Sequence, residues 1–247
     1  MDEIEQTIAE IINVGTMEDF CEKDSFVSTP GYKSLREFAS VLLYSSKEEE
    51  LQNFFESNPF FLFHSLFNLG ADVKAVMSKP TIGGKYYADF GLIGISQGGC
   101  QITLIELEPA NVNLFTQQGT PAKRLQQAIG QVDDWQQWIR KYKVTFAEEL
   151  LESAKGLPQF EAKKSFNKGW KFCNSAGLDA SWRGFGGSEY ARVHYFIVIG
   201  RWSKLLEKHK KRLLHYNHER DRRYTIYTYD QLARKALRRP YLDDYYI

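Results

Sequence analysis

The chain has 247 residues and a net charge of +1, and 43% of its residues are hydrophobic and 15% aromatic. This length and composition exclude an intrinsically disordered chain and predict one α/β domain with decorations, or a core plus a small N-terminal piece. Three widely spaced cysteines outside any zinc-binding pattern favour a reducing compartment. No signal-peptide pattern opens the chain, and no apolar run reaches the roughly 20 residues that span a bilayer. We therefore expect a cytoplasmic protein with no membrane partner.

Charge is distributed unevenly along the chain. Residues 1–60 hold 13 acidic and 4 basic side chains, whereas residues 201–240 hold 13 basic and 4 acidic ones. The basic end could bind phosphates, or it could pair with the acidic end of the same or another subunit.

The first part of the chain is predicted to be helical. Residues 1–45 read as an acidic helical extension, followed by a helix whose inner face holds Leu51, Phe54 and Phe55. Glu50 lies at the edge of that apolar face. It is either a solvated helix charge or a residue that leans toward a neighbouring site.

Three strands are predicted next, over residues 71–77, 85–95 and 102–108. A two-residue turn at Gln97-Gly98 would join the last two in a hairpin. Opposed residues would then have numbers that sum to 195, which places Asp89 opposite Glu106.

Both faces of this hairpin are apolar, which is typical of a sheet covered by helices on two sides. Directly opposed Cβ atoms lie about 4.5–5.5 Å apart, so Asp89 and Glu106 would repel each other without a cation between them. Glu108 lies two residues further and shares the face of Glu106. Carboxylates at such distances suit Mg²⁺ or Mn²⁺. The alternative is a pair of solvent-facing charges on a one-sided sheet.

A helix is predicted after Pro121, with an apolar stripe beside a polar one that includes Arg124, Gln127 and Gln131. The polar stripe could hydrogen-bond metal-bound water or phosphate, or it could simply be exposed. Residues 151–190 interleave aromatic and basic side chains, so they form either a nucleic-acid-binding segment or a packed insertion.

The remaining elements are a strand at Val193 to Ile199, a basic helix at Arg201 to Tyr216, a strand at Tyr224 to Tyr229 and a helix at Gln231 to Leu237. On the basic helix, Trp202, Leu205, Leu206 and Leu213 are expected to face the core. The candidate nucleic-acid contacts in the insertion and the basic helix are Lys163, Lys164, Lys168, Lys171, Arg183, Lys204, Lys208 and Lys211.

This order of elements, with Asp on one strand and Glu-x-Glu on the next, resembles the PD-(D/E)xK nuclease fold. Within that superfamily the chain is similar to the Shedu family, the nuclease component of a bacterial anti-phage defence system. The resemblance covers roughly residues 47–237. It is carried by these segments in order: Glu50-Leu51-Gln52-Asn53-Phe54-Phe55, Asn58-Pro59, Ala88-Asp89-Phe90, Ile105-Glu106-Leu107-Glu108-Pro109, Gln127-Ala128-Ile129-Gly130-Gln131-Val132 with Trp135, and Thr228-Tyr229-Asp230-Gln231-Leu232.

The resemblance implies a restriction-endonuclease-like core over residues 46–247, with a mixed central sheet flanked by helices and an insertion at about 151–190. The acidic extension, residues 1–45, would be the candidate regulator of a nuclease that must spare its host.

The resemblance also implies site residues. Asp89 and Glu106 would bind Mg²⁺ or Mn²⁺, Glu50 would complete that metal site, and Gln131, with Gln127, would stand beside it. One departure matters: Glu108 occupies the position of the usual lysine. Glu108 could act as a general base, but it cannot stabilise negative charge as lysine does.

The function that follows is a metal-dependent DNA endonuclease that works as a homo-oligomer. The alternatives are a catalytically inactive DNA-binding or sensing module of the same fold, and a structural protein whose acidic and basic ends pair between subunits.

Overall fold

The computed structural model of the chain describes residues 2–12, 30–45, 47–66, 72–96, 99–155, 182–184, 186–218 and 223–237. Helices precede the sheet in these ranges: α1 Glu3–Ile12, α2 Pro30–Tyr44, α3 Glu48–Ser57 and α4 Phe60–Leu66. The strands are β1 Asp72–Ser78, β2 Thr81–Ile82, β3 Tyr86–Tyr87, β4 Phe90–Ser96, β5 Gly99–Leu107, β6 Arg192–Val198 and β7 Tyr224–Tyr227. The later helices are α5 Lys123–Lys155, α6 Glu207–His218 and α7 Tyr229–Leu237, with a short 3₁₀ turn at Ser188–Tyr190.

The central sheet has the order β1-β4-β5-β6-β7. The first two pairings are antiparallel and the last two are parallel. β2 and β3 form a separate small ribbon within the β1–β4 connection. The chain is therefore an α/β protein with a mixed five-stranded sheet and flanking helices, as the sequence predicts.

The β4–β5 hairpin has the predicted register. Pairs run from Phe90 opposite Ile105 to Ser96 opposite Gly99, and their numbers sum to 195 throughout. The turn residues 97 and 98 lie outside the described residues. Asp89 precedes the first residue of β4 by one position, whereas Glu106 is inside β5.

Helices cover both faces of the sheet, which confirms the two-sided burial. On one face Ile93, Ile102 and Leu104 pack against α5 through residues such as Ala128 and Val132. On the other face the apolar side chains of β4 and β5 pack against α1, α2, α3, α4 and α7; they are Phe90, Leu92, Ile105 and Leu107.

The basic helix starts later than the sequence predicts. α6 begins at Glu207, and the preceding segment is held by a buried carboxylate: Asp230 accepts from Arg201 Nε (2.9 Å) and from the backbone N–H of Trp202 (2.6 Å). The expected packing of Leu206 is therefore wrong, because its side chain is 58% exposed, while Leu205 and Leu213 are buried as expected.

Part of the expected insertion is regular. α5 runs to Lys155, so the first residues of the 151–190 segment are helical. The candidate contacts Lys163, Lys164, Lys168 and Lys171 lie outside the described residues. In the described ranges, no helix combines the length and the apolar character that crossing a membrane requires.

Candidate active site

The strand registers place Asp89 between an acid and a base. Ser78 pairs with Phe90 across β1 and β4, and Phe90 pairs with Ile105 across β4 and β5. One step beyond each pair, Lys79 faces Asp89 from the β1 side, and Glu106 faces it from the β5 side. The residues that face Asp89 from the two neighbouring strands are therefore a base, Lys79, and an acid, Glu106.

Asp89 is 5% exposed and is held on all sides. Its Oδ2 accepts a hydrogen bond from the backbone N–H of Leu107 (2.6 Å), and its Oδ1 forms an ion pair with Lys79 Nζ. Its backbone N–H donates to Ile105 O (2.9 Å), and its carbonyl accepts from the backbone N–H of Lys79 (2.9 Å). These bonds fix the carboxylate at the start of β4.

Glu106 is the most perturbed carboxyl of the site. It is buried and accepts a hydrogen bond from Gln131 Nε2 at 3.2 Å, so α5 brings the predicted Gln131 to the predicted Glu106. Burial, followed in importance by the charges of Asp89, Glu108 and Glu48, raises the pKa of Glu106 to about 9, and the charge of Lys79 offsets part of this rise. The carboxyl is protonated near neutral pH unless a cation replaces the proton.

Glu108 is held by its backbone just after β5. Its N–H donates to Val198 O (2.8 Å), and its carbonyl accepts from the hydroxyl of Tyr229 (2.7 Å). Its side chain is buried and lies 3.8 Å from Arg124 Nη1, yet Oε2 has no hydrogen-bond partner among the described residues. Burial, followed by the charge of Glu48, raises its pKa to about 7.

The structure adds Glu48 to the site, where the sequence suggested Glu50. Glu50 is exposed, whereas Glu48 is partly buried and its pKa is raised by burial and then by the charge of Asp89. Glu48 and Gln52 lie four residues apart on one face of α3. The amide of Gln52 contacts Ser78 Oγ (2.9 Å) and the carbonyl of Asp89 (3.3 Å), which turns this face toward the site.

We call Glu48, Asp89, Glu106 and Glu108 the carboxylate cluster. Glu48 precedes Gln52 by one helical turn, but the apolar stripe of α3 does not separate it from Glu50 in the sequence. Gln127 is exposed on α5 and makes no hydrogen bond to the cluster in the described part of the chain.

The carboxylate cluster suits a hard divalent cation by its chemistry. It offers only oxygen donors. Oε2 of Glu108 accepts no hydrogen bond from the described residues, although Arg124 Nη1 lies 3.8 Å away, and the raised pKa of Glu106 indicates that its ionised form lacks a compensating positive charge. The arrangement is not that of a filled site, however. Among the residues described, no group of three His, Cys, Asp or Glu side chains is already placed to hold one ion. The Lys79–Asp89 ion pair also engages Asp89 Oδ1, an oxygen that a metal would need.

A basic cavity of about 500 Å³ lies between α6 and the loop that follows β5. No carboxylate lines it; the lining residues are Gln117, Gln118, Gly119, Lys208, His209, Lys211, Arg212, His215 and Tyr216. His209 is buried there, and its Nε2 has no hydrogen-bond partner among the described residues.

Two of the predicted nucleic-acid contacts have intramolecular partners. Lys208 Nζ donates to the carbonyl of Gln117 (2.8 Å), and Lys204 Nζ donates to Asn111 Oδ1 (3.0 Å). They anchor the loop after β5, while Lys211 is exposed at the cavity and Arg183 is exposed elsewhere.

Residues 45–233 match the family model described as Shedu protein SduA, C-terminal. A comparison with curated proteins gives no match. The family match covers the carboxylate cluster, the basic cavity and every strand of the central sheet.

Proposed function

Because the chain belongs to the Shedu family, we propose that it is a metal-dependent DNA endonuclease with a PD-(D/E)xK core. Shedu membership implies a role in anti-phage defence. The observation that carries the nuclease proposal is the carboxylate cluster: four acids converge where three strands and α3 meet, and burial, together with the repulsion between the acids, raises the pKa of Glu106 to about 9. Buried carboxyls that repel one another destabilise the fold, so their presence together indicates a functional site.

The chemistry follows from the donor set. Asp89, Glu106 and Glu108 would hold Mg²⁺ or Mn²⁺, and Glu48 would approach the ion from α3. The ion would supply positive charge to the phosphate oxygens. In hydrolysis, a water oxygen bonds to phosphorus while the bond to one ester oxygen breaks. The carboxylate of Glu108, with a pKa of about 7 raised mainly by burial, can accept the proton that the water loses. A second proton, from solvent, reaches the departing oxygen.

Gln131 supports this arrangement from α5. Its amide donates to Glu106 Oε2 at 3.2 Å, which orients that carboxyl and leaves its other oxygen available to a cation. Tyr229 plays the same part for Glu108 by fixing the backbone of that residue.

DNA would lie against the basic cavity. Lys211 and Arg212 line it, no carboxylate is among its lining residues, and His209 brings a buried ring nitrogen without a hydrogen-bond partner among the described residues. Cationic side chains of this kind bind backbone phosphates with little dependence on sequence, and binding weakens as salt rises.

The test is a cleavage assay with purified protein on linear and circular DNA, in Mg²⁺, Mn²⁺ or EDTA. We expect metal-dependent cleavage that Asp89→Asn and Glu106→Gln abolish. Glu49→Gln, which changes an exposed charge on α3, serves as the matched control and should cleave like the wild type. Unchanged DNA in all metals, together with a retained gel shift, would contradict the proposal.

That outcome would favour the second candidate, a DNA-binding module without catalysis. The observation in its favour is the Lys79–Asp89 ion pair, which already neutralises one acid of the cluster, together with Glu108 in the position of the usual lysine. Cleavage and binding measured on one preparation separate the two candidates.

Homo-oligomerisation is part of the proposal, and the acidic and basic ends of the chain are its candidate contacts. Some of these charges are already paired within one chain, since Arg201 Nη2 contacts Glu10 Oε2 (3.1 Å) and Arg36 contacts Asp2 (3.2 Å) and Glu5 (2.7 Å). Light scattering at low and high salt gives the subunit count and shows whether charge holds the assembly together.

A further inference from the structure

We propose that Lys79, at the end of β1, is a catalytic residue that supplies the positive charge which Glu108 cannot supply from the position of the usual lysine. This inference rests on the proposed nuclease function and assigns a new residue to the same site.

The first observation is position. The β1–β4 register, continued by one residue, sets Lys79 directly opposite Asp89, and its ammonium forms an ion pair with Asp89 Oδ1. Its charge also acts on Glu48 and Glu106. A lysine on a different strand from Glu106 therefore places its charge within the carboxylate cluster.

The second observation is access. The side chain of Lys79 is 51% exposed, while that of Asp89 is 6% exposed. The ammonium thus lies at the mouth of the cluster, between the buried acids and solvent. A phosphate that approaches from solvent can bind this exposed ammonium, and Asp89 Oδ1 is then left to a cation.

The third observation is backbone geometry. Lys79 has φ of +50°, and it is the one non-glycine residue with positive φ in the described ranges. Such a conformation is uncommon for a residue with a side chain and occurs where the surroundings enforce it. Here the N–H of Lys79 donates to the carbonyl of Asp89, and the next residue, Pro80, packs closely over Gly91. These contacts hold the lysine beside the aspartate.

Charge balance gives the reason for this arrangement. The transition state of phosphodiester hydrolysis gains negative charge on oxygen, and cationic groups placed beside that charge stabilise it. Glu108 adds negative charge instead. Arg124, on α5, lies 3.8 Å from Glu108. Among the described residues, Lys79 is the cation in ion-pair contact with the metal-ligand candidate Asp89.

The experiment compares Lys79→Met, Lys79→Arg and Glu108→Lys with the wild type. All of the residue-79 variants face the same positive φ, so the backbone strain is matched. Lys85→Met is the control, because Lys85 is exposed in the same connection and lies 4.7 Å from the ring of Tyr86, away from the cluster.

We expect Lys79→Met to lower kcat on the order of 10²- to 10³-fold, the loss that follows removal of one group stabilising transition-state charge. Lys79→Arg should retain part of the activity, and Lys85→Met should retain all of it. Thermal unfolding and Mn²⁺ affinity, measured by calorimetry, should be close to wild type in Lys79→Met.

The contrary outcomes are distinct. A wild type that does not cleave in any metal refutes the nuclease proposal, and this inference with it. If the wild type does not cleave but the Glu108→Lys variant does, the fold is a nuclease scaffold and the role of Lys79 is refuted. A wild type that cleaves and a Lys79→Met variant that cleaves equally well refute the role of Lys79 alone. A loss in Lys79→Met that tracks weaker Mn²⁺ binding also refutes the charge role.

Discussion

Removing the carboxyl of Glu106 should stabilise the metal-free protein at alkaline pH. Burial, together with the neighbouring carboxylates, raises its pKa to about 9, so the folded state keeps a proton that the unfolded chain releases near the ordinary value of 4.5. Between these two values the folded state binds more protons than the unfolded state, and stability falls as pH rises. Glu106→Gln has no such proton to lose, and its amide can still accept from Gln131.

The range from pH 7 to pH 9 isolates this effect. Glu108, with a pKa of about 7, also loses stability as pH rises, but most of its effect lies below pH 7. One pKa unit corresponds to about 1.4 kcal/mol, and the dependence levels off near the folded pKa. We therefore expect the wild type to lose about 2 kcal/mol of unfolding free energy between pH 7 and pH 9, as an order of magnitude, and Glu106→Gln to lose much less.

Urea denaturation in EDTA at several pH values measures this difference, with Glu49→Gln as the control for loss of an exposed carboxylate. Groups such as cysteines that titrate in the same range are common to all variants and cancel in the comparison. Added Mn²⁺ should reduce the wild-type loss, because the ionised carboxylate then has a partner. Parallel curves for the wild type and Glu106→Gln would refute the electrostatic interpretation of the cluster.

Three further predictions follow from individual contacts. Glu48→Gln should weaken Mn²⁺ binding and cleavage more than Glu50→Gln, which calorimetry and initial rates will show; equal effects would remove α3 from the site. Replacing Lys211 and Arg212 with glutamine should weaken DNA binding across sequences and reduce the slope of log K against log salt by roughly 2, as measured by fluorescence anisotropy; an unchanged slope would exclude the basic cavity. Phe55→Ala should cost about 3–5 kcal/mol in denaturant unfolding, because this fully buried ring is stacked among other aromatic rings; a cost below 1 kcal/mol would show that the core refills.

The hairpin could be predicted because its geometry is local. A two-residue turn sets the register, and the alternation of apolar side chains sets the faces, so the pairing of Phe90 with Ile105 follows from the sequence alone. The contact between Gln131 and Glu106 could also be predicted from a local pattern, since Gln131 belongs to the polar stripe of a helix that packs on the sheet.

Lys79 and Glu48 could not be predicted because their positions depend on nonlocal packing. The connection from β1 to β4 contains the small β2–β3 ribbon, so no short-turn rule gives the β1–β4 register. The rotation of α3 depends on how Phe54 and Phe55 pack with Phe38, a residue of α2. The late start of α6 also depends on a nonlocal contact, because Asp230, which holds the segment before α6, lies far along the chain.

The acidic N-terminal helices bear on the site through the core rather than as a separate unit. Ile8 and Ile11 of α1, with Phe38 of α2, are buried in the cluster that also contains Leu107 and Tyr229. Removing residues 1–45 would therefore uncover apolar surface as well as delete acidic charge, and an effect of that deletion on cleavage could not be assigned to regulation.

A narrower perturbation separates regulation from stability. Glu10 of α1 contacts Arg201 at 3.1 Å, Arg201 bonds Asp230 at 2.9 Å, and the adjacent Tyr229 bonds the carbonyl of Glu108 at 2.7 Å. Physical contacts thus connect the acidic helix to the residue that occupies the position of the usual lysine. Because Arg201 keeps Asp230 when Glu10 is changed, a substitution at Glu10 disturbs this connection while the buried carboxylate and the aromatic core stay in place.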